Sequence, residues 1–165
     1  MDSLQSRGAV VLPLDVAEAE SREQLAAEVL DRTGGQLDAL VNNAGYGEVG
    51  PMETMALDRA RSMFEVNVFG LMGLTQLLLP AMRDRRRGRI VNVSSIAGRF
   101  ATPGAGWYCA SKHAVEAISD AMRLELHQFG IQVVIVEPGL IRTGFEQASA
   151  ESMDQGGKDP IWGEM

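Results

Sequence analysis

The sequence predicts an α/β domain in which a parallel sheet carries helices on both faces. Short apolar runs rich in β-branched residues alternate with longer segments of helical periodicity, which is typical of a parallel sheet. The apolar runs are hydrophobic on both of their faces, as strands buried on two sides are. With 165 residues, 45% of them hydrophobic, the chain is long enough for one domain with a sizeable core.

The first predicted strand, Gly8–Asp15, is a short apolar run that ends in an acid. A helix follows it, and Ser21 and Gln24 have the spacing of a capping box at its N-terminus. Apolar residues continue at helical spacing until Gly34 and the next glycine, which end the helix.

The remaining predicted elements continue the alternation of strand and helix. Three further apolar runs are strands, and two longer segments place their apolar residues on one helical face. The strands are Leu37–Asn42, Arg89–Ser94 and Ile131–Val136, and the helices are Leu57–Arg85 and Tyr108–Phe129.

The charge and cysteine content exclude several classes of site. A net charge of -7 argues against nucleic acid, which needs a basic face. The arginine-rich run between positions 83 and 89 falls at a predicted helix end, where cations suit the helix dipole. Cys109 is the one cysteine, and it has no partner for a disulfide and no zinc-type spacing. We therefore expect no metal site, and we expect Cys109 to be a packing residue.

No membrane segment or secretory leader is predicted. The N-terminus lacks a charged-then-apolar pattern. The most apolar run, Val66–Met82, is interrupted by polar residues, glycines and a proline, and it is too short and too broken to span a bilayer. We therefore expect a cytoplasmic protein, with a polar, Gly-rich loop or tail over residues 147–165.

The residues most suited to ligand binding stand where predicted strands end. In a parallel α/β sheet, ligands bind outside the carboxyl ends of the strands. Such ends carry Asp15, the run Asn43–Gly45, the pair Ser94 and Ser95, and the pair Pro138 and Gly139. We therefore expect a ligand site at this edge. Taken alone, Asn42 and Asn43 fit an ordinary turn equally well.

Tyr108 and Lys112 are four residues apart in a predicted helix, so their side chains share one face. A nearby cation favours a phenolate, and it would lower the pKa of Tyr108 from its usual value of about 10. Such a phenol can exchange a proton at neutral pH. Taken alone, the pair also fits a half-exposed tyrosine beside a solvated lysine.

These motifs together resemble the short-chain dehydrogenase/reductase family, in the family's own order. The resemblance covers about residues 8–145, and its helix context is similar to the hydroxysteroid-dehydrogenase-like branch. It rests on the run Asn42–Gly45, on Asn67 within a helix, on Ser95 thirteen residues before Tyr108, on the pair Tyr108 and Lys112, and on the run Pro138–Thr143.

The resemblance implies a Rossmann-like fold and a role for each matching residue. Tyr108 would be the general acid/base, Lys112 would lower its pKa and hold the nicotinamide ribose, and Ser95 would hydrogen-bond the substrate oxygen. Asn67 would kink its helix and hold a water in a proton relay. Besides Tyr108 and Lys112, the implied cofactor-binding residues are Asp15, Val16, Asn43, Ala44, Gly45, Pro138, Gly139, Ile141 and Thr143.

The sequence departs from the family at both ends, so we expect a Rossmann-like sheet truncated at both ends. It begins at the third family strand, without the Gly-rich turn that binds the cofactor pyrophosphate, and it ends soon after Thr143. The residues that distinguish NAD from NADP precede this start. Without its lateral neighbours, Gly8–Asp15 should pair abnormally with Leu37–Asn42 or pack poorly.

The expected function is interconversion of an alcohol and a ketone with NAD or NADP. The alternative is a catalytically silent remnant that acts only through protein contacts. In the family, the helices that match 57–85 and 108–129 build subunit interfaces, so we expect a homodimer or homotetramer. Four apolar residues suggest an apolar substrate: Phe100, Ala101, Trp107 and Phe145.

Overall fold

Three parallel strands form the central sheet of the computed structural model, which describes residues 2–139. The strands are β1 (Ala39–Asn42), β2 (Gly88–Val93) and β3 (Ile131–Val136), and they lie side by side in that order. The pairing puts Asn42 beside Asn92, and Val93 beside Val136. The predicted α/β fold with a parallel sheet is therefore confirmed.

Five α-helices accompany the sheet in the described residues, together with one π-helical segment and one 3₁₀ turn. The helices are α1 (Asp2–Gln5), α2 (Ala19–Thr33), α3 (Leu57–Phe64), α4 (Leu71–Asp84) and α5 (Gly106–His127). A π-helical segment, Glu65–Gly70, joins α3 to α4, and a 3₁₀ turn, Ile96–Gly98, follows β2.

The beginning of α2 differs from its prediction. The helix starts two residues before Ser21, and Glu18 occupies the N-cap without a side-chain hydrogen bond. The Ser21 hydroxyl instead accepts a hydrogen bond from the backbone N–H of Asp15 at 2.9 Å. The predicted capping box is therefore wrong, because Ser21 closes the preceding loop. Gly34 does end the helix, in the left-handed conformation that glycine adopts freely.

Gly8–Asp15 is not a strand, which corrects its prediction. The segment has no strand pairing, and Val10 and Leu14 are exposed. An extended segment becomes a strand only by hydrogen-bonding to a neighbour, and the described residues place none alongside it. The expectation of poor packing is confirmed, whereas abnormal pairing with β1 does not occur.

The helices that pack on the sheet, α4 and α5, lie against one of its faces, so within residues 2–139 the predicted helices on both faces are not found. The core joins Ile90 and Val133 of the sheet to Met82 of α4 and to Met122 and Leu126 of α5. Helix α2 packs on α4 in a second cluster. On the opposite face, valine side chains of β1 and β3 remain exposed: Val41, Val134 and Val136.

The run from α3 to α4, Leu57–Asp84, is one 28-residue helical rod, and it corrects the length argument made from the sequence. Its most apolar window has a mean hydropathy of 1.3, and 44% of that window is buried inside the fold. Within residues 2–139 this run alone is long and apolar enough to cross a bilayer. Core helices of soluble proteins show the same property, and this one packs on α2 and on α5.

Buried polar side chains link β1 and β2 to the two long helices. The Asn42 amide donates to Thr75 Oγ1 at 2.9 Å and to Asn92 Oδ1 at 2.8 Å. The Asn92 amide donates in turn to Ser119 Oγ at 2.8 Å. Because a buried polar group without a partner is costly, this chain fixes the strands relative to α4 and α5. Asn42 is therefore part of the core and does not close a turn.

Candidate active site

Ser95 and Tyr108 meet where β2 ends and α5 begins. Ser95 is buried and caps the 3₁₀ turn, because its Oγ accepts a hydrogen bond from the Ala97 N–H at 3.1 Å. Its hydroxyl is also hydrogen-bonded to the phenol of half-buried Tyr108. The structure therefore brings together the two residues that the thirteen-residue spacing singled out.

Burial raises the pKa of Tyr108 above its usual value, and the hydrogen bond from Ser95 partly opposes this by favouring the phenolate. The sequence predicted the opposite direction, with Lys112 lowering this pKa. The net pKa of Tyr108 is therefore raised and not lowered as expected, because desolvation of the phenol is the largest influence on it; Lys112 Nζ lies 5.8 Å from the ring centroid.

Lys112 is buried one helical turn after Tyr108, and its Nζ donates a hydrogen bond to the Val93 carbonyl at 3.0 Å. Burial lowers the pKa of Lys112 to about 8, and the negative charge of Glu116 opposes that shift. The ammonium is thus mostly charged at neutral pH. It lies at the carboxyl end of β2, where the sequence predicted a ligand site.

Asn67 is buried in the π-helical segment, and its side-chain amide is hydrogen-bonded to other groups of the protein. Its Nδ2 donates to the Tyr46 carbonyl at 2.9 Å and to Ser111 Oγ at 3.1 Å. Its Oδ1 accepts from the Tyr46 N–H at 3.0 Å. The π-helical segment distorts the helix at Asn67, where a kink was predicted. The observed role of the side chain is to join the loop after β1 to α5.

Gly45 lies between Asn67 and Lys112 at the end of β1. A Cβ built on Gly45 would approach Asn67 Oδ1 to 3.0 Å and Lys112 Nζ to 3.6 Å. Asn43, Ala44 and Gly45 are all exposed at this edge. The predicted wall of the cofactor site is therefore next to the predicted catalytic lysine.

Val16, which follows Asp15, is held against the same helical rod as Asn67. The Val16 side chain is buried, and its carbonyl oxygen lies 2.4 Å from a Cβ built on Gly70. Arg22 Nη1 donates to that carbonyl at 2.6 Å, and the Asp15 carboxylate accepts from the Ala17 N–H at 3.0 Å. Glycine at position 70 is what permits this approach.

The segment after β3 reaches the same edge of the sheet. The Pro138 carbonyl accepts a hydrogen bond from the Ile96 N–H at 3.1 Å, so Pro138 lies beside the turn that follows Ser95. Gly139 is exposed. Ile141 and Thr143, together with Phe145 and the predicted tail 147–165, lie outside the described residues.

Ser111 is a site residue that the sequence reasoning missed. It is fully buried, accepts from the Asn67 amide and donates to the Tyr108 carbonyl at 2.7 Å. Its position directly before Lys112, on a face that the helical pattern turns inward, was the available signal. Within residues 2–139 no three His, Cys, Asp or Glu side chains come together as potential metal ligands.

The arrangement fits the nicotinamide half of a dinucleotide. Lys112, the exposed backbone of Asn43–Gly45 and the segment at Pro138 share one edge of the sheet, as a ribose and a ring require. The phosphate half has no counterpart in the described residues, since Gly34 and Gly35 follow a helix and not a strand.

Comparison with known proteins gives a consistent result. The family described as short chain dehydrogenase matches residues 1–154. An uncharacterized oxidoreductase of Escherichia coli, YbbO, is 43% identical over 145 residues, which are 88% of this chain and 54% of that protein. The chain therefore spans about half the length of this curated relative.

Solved structures match at similar coverage. A short-chain dehydrogenase from Streptomyces avermitilis has a TM-score of 0.82 at 42% identity, over 86% of this chain and 53% of that one. A relative from Burkholderia phymatum, solved with NAD, has a TM-score of 0.83 at 29% identity, over 90% and 54%. A gluconate 5-dehydrogenase from Burkholderia cenocepacia, solved with NADP and tartrate, has a TM-score of 0.77 at 30% identity, over 82% and 52%.

Proposed function

The chain belongs to the short-chain dehydrogenase family, and from this premise we propose that it interconverts an alcohol and a ketone with NAD or NADP. The observation that carries the proposal is the convergence of Ser95, Tyr108 and Lys112 at the carboxyl edge of the sheet. The related structures with NAD and with NADP support either nucleotide and do not favour one of them.

When bound, the nucleotide would supply a hydride to the substrate carbonyl carbon from its nicotinamide ring. In the direction of reduction, the Tyr108 phenol would give its proton to the substrate oxygen, which becomes the hydroxyl of the alcohol. The Ser95 hydroxyl hydrogen-bonds that oxygen and stabilises the charge that develops on it. In the reverse direction Tyr108 takes the proton back.

Lys112 favours the proton loss of Tyr108 during this step. The raised pKa of Tyr108 means that the phenol stays protonated in the resting site. The Lys112 ammonium carries most of its charge at neutral pH, and it stabilises the phenolate as that charge forms. We assign ribose binding to the same ammonium and to Asn43–Gly45.

We also propose that the substrate is largely apolar. Ile96 directly follows Ser95, and Phe100 lies at the end of the same turn, and both side chains are exposed. The exposed Met52 lies against Gly106, two residues before Tyr108. Apolar side chains that face solvent beside a polar catalytic group favour a substrate with a hydrocarbon body.

A comparison of one apolar and one polar ketone as substrates tests the proposal. We expect the protein to oxidise NADH or NADPH, followed at 340 nm, with 2-decanone and much more slowly with the polar ketone dihydroxyacetone. Y108F should lose roughly 100-fold or more of this rate. No nucleotide oxidation with either ketone would contradict the proposed reaction, and equal rates with both would contradict the apolar substrate.

We also propose self-association through the helical rod and α5. Phe69 on the rod is 60% exposed and Leu124 on α5 is 81% exposed, so each helix presents a large apolar side chain that a second copy of the chain would cover. In sedimentation experiments the parent should form a dimer or tetramer, and F69E combined with L124E should sediment as a monomer. A monomeric parent would exclude this interface.

A further inference from the structure

Arg99 lies between two carboxylates that belong to different parts of the active site. Its Nη2 is 3.1 Å from Glu116 Oε2 and 2.7 Å from Glu137 Oε1. Glu116 is on α5, two turns after Tyr108, and Glu137 directly precedes Pro138. Arg99 itself follows the 3₁₀ turn that begins after Ser95. One guanidinium thus joins the three segments that carry the proposed catalytic and cofactor-binding residues.

Glu116 is a buried carboxylate that needs a cation. Its side chain is 7% exposed, neither of its oxygens has a hydrogen-bond partner, and Arg99 forms its ion pair. An ionised carboxylate is costly to bury without an opposite charge. Glu116 lies one turn after Lys112, on the face of α5 that also carries Tyr108. The buried carboxylate is therefore next to the proposed catalytic residues.

The turn after Ser95 packs directly on Glu116. A Cβ built on Gly98 would lie 2.9 Å from Glu116 Cγ and 2.8 Å from Ser94 Oγ. The absence of a side chain at position 98 therefore lets the turn approach α5 closely. The ion pair between Arg99 and Glu116 also links this turn to α5. The hydrogen bond from the Ile96 N–H to the Pro138 carbonyl attaches the segment after β3 to the same turn.

We infer that Arg99 is a positioning residue of the active site, which acts through Glu116 and Glu137 to keep the Ser95 hydroxyl in hydrogen-bonding contact with the Tyr108 phenol. The inference deepens the proposed function and rests on it for its catalytic meaning. The pKa values agree with this pairing, since the hydrogen bond with Arg99 lowers the pKa of Glu137 and both carboxylates raise that of Arg99.

Ionisation of Tyr108 provides a direct measurement that does not require activity. Tyr46 and Tyr108 are the two tyrosines of the chain, so in a Y46F background the absorbance of tyrosinate at 295 nm reports Tyr108. Lys112 Nζ lies 5.8 Å from the phenol ring and Cys109 raises the pKa of Tyr108, and both residues are unchanged in all variants. S95A gives the reference shift, which should be upward because the Ser95 hydrogen bond favours the phenolate.

E116Q and R99M separate positioning from simple charge effects. If Arg99 positions Ser95, both substitutions should raise the pKa of Tyr108, in the direction of S95A. A charge effect alone predicts opposite shifts, because R99M removes a positive charge and E116Q removes a negative one. Opposite shifts, or no shift in either variant, would overturn the inference.

Three further variants, R61M, E137Q and R99K, serve as controls. R61M removes an arginine of an exposed ion pair with Asp58 and should leave the Tyr108 titration unchanged. If circular dichroism shows that R99M does not fold, the Tyr108 titration is made with E116Q and E137Q instead. E116Q preserves the shape of the side chain, and E137Q breaks the exposed ion pair between Arg99 and Glu137. In an active parent, R99M should lower kcat roughly 10-fold or more and change KM little, with partial rescue by R99K. An inactive parent would contradict the proposed function and leave the titration result intact.

Discussion

The side-chain amide of Asn67 makes two hydrogen bonds to the backbone of Tyr46, one as acceptor at 3.0 Å and one as donor at 2.9 Å. This pairing resembles that of neighbouring strands, although one partner is a side chain in a helix. It holds the loop after β1, and with it Gly45, against the helix that carries Tyr108 and Lys112. Asn67 thus connects the proposed cofactor wall to the proposed catalytic group.

N67A should destabilise the fold and disorganise the site together. It removes the hydrogen-bond partner of the Tyr46 N–H and carbonyl, which are partly buried, and of the buried Ser111 hydroxyl, so we expect a loss of about 2–4 kcal/mol in the free energy of unfolding by urea. Q24A, which removes an amide paired with Glu20 on the surface of α2, is the control and should change stability by less than about 0.5 kcal/mol. Equal stability of N67A and the parent would show that these hydrogen bonds contribute nothing.

K112M should remove a pH dependence of stability. The pKa of Lys112 is about 8 in the fold and about 10.4 in an unfolded chain. Above pH 8 the folded lysine is neutral while the unfolded lysine still binds a proton, so the parent gains stability as pH rises, by at most about 1.4 kcal/mol per unit. Below pH 8 both states are charged, and the burial cost is fully present.

Urea unfolding between about pH 7.5 and 9.5 measures this effect as the difference between K112M and the parent, in which contributions of the other groups cancel. The parent should gain relative to K112M as pH rises. R32M, which removes an exposed partner of Glu28 on α2, should follow the parent. Parallel pH profiles for K112M and the parent would contradict a lowered pKa at Lys112.

G70A should weaken the contact between the helical rod and the Asp15–Val16 segment. The new Cβ would lie 2.4 Å from the Val16 carbonyl oxygen, a backbone atom that cannot step aside alone. We expect a loss of about 1–3 kcal/mol in urea unfolding, although alanine usually favours helix. G50A is the matched control, because its nearest atom, Met55 Cε, is at an ordinary 3.5 Å. A G70A protein as stable as G50A would show that the segment adapts freely.

Local pattern and spacing predicted the parts of the fold that depend on nearby residues. The bounds of β3 are those predicted, and the predicted parallel sheet is confirmed. Ser95 meets Tyr108 as the thirteen-residue spacing indicated. Helical spacing put Tyr108 and Lys112 on one face, which fixed their relation before any tertiary contact was known.

The properties that were not predictable depend on contacts between distant residues. Gly8–Asp15 has the composition of a strand, but pairing decides whether it becomes one. The pKa of Tyr108 depends on how far tertiary packing removes the phenol from water, which the neighbouring Lys112 in the sequence does not reveal. Likewise Arg99, Glu116 and Glu137 are far apart in sequence, and only the fold joins their charges.

Transfer of deuterium from the nucleotide to the substrate tests whether Tyr108 acts in a hydride-transfer reaction. The protein is incubated with 2-decanone and NADH or NADPH deuterated at both C4 positions, and the product alcohol is analysed by mass spectrometry. We expect one deuterium at the former carbonyl carbon with the parent, and a yield lower by roughly 100-fold or more with Y108F. Absence of deuterated alcohol with either nucleotide, or equal yields from the parent and Y108F, would contradict the assignment of Tyr108 as the acid/base of a hydride-transfer reaction.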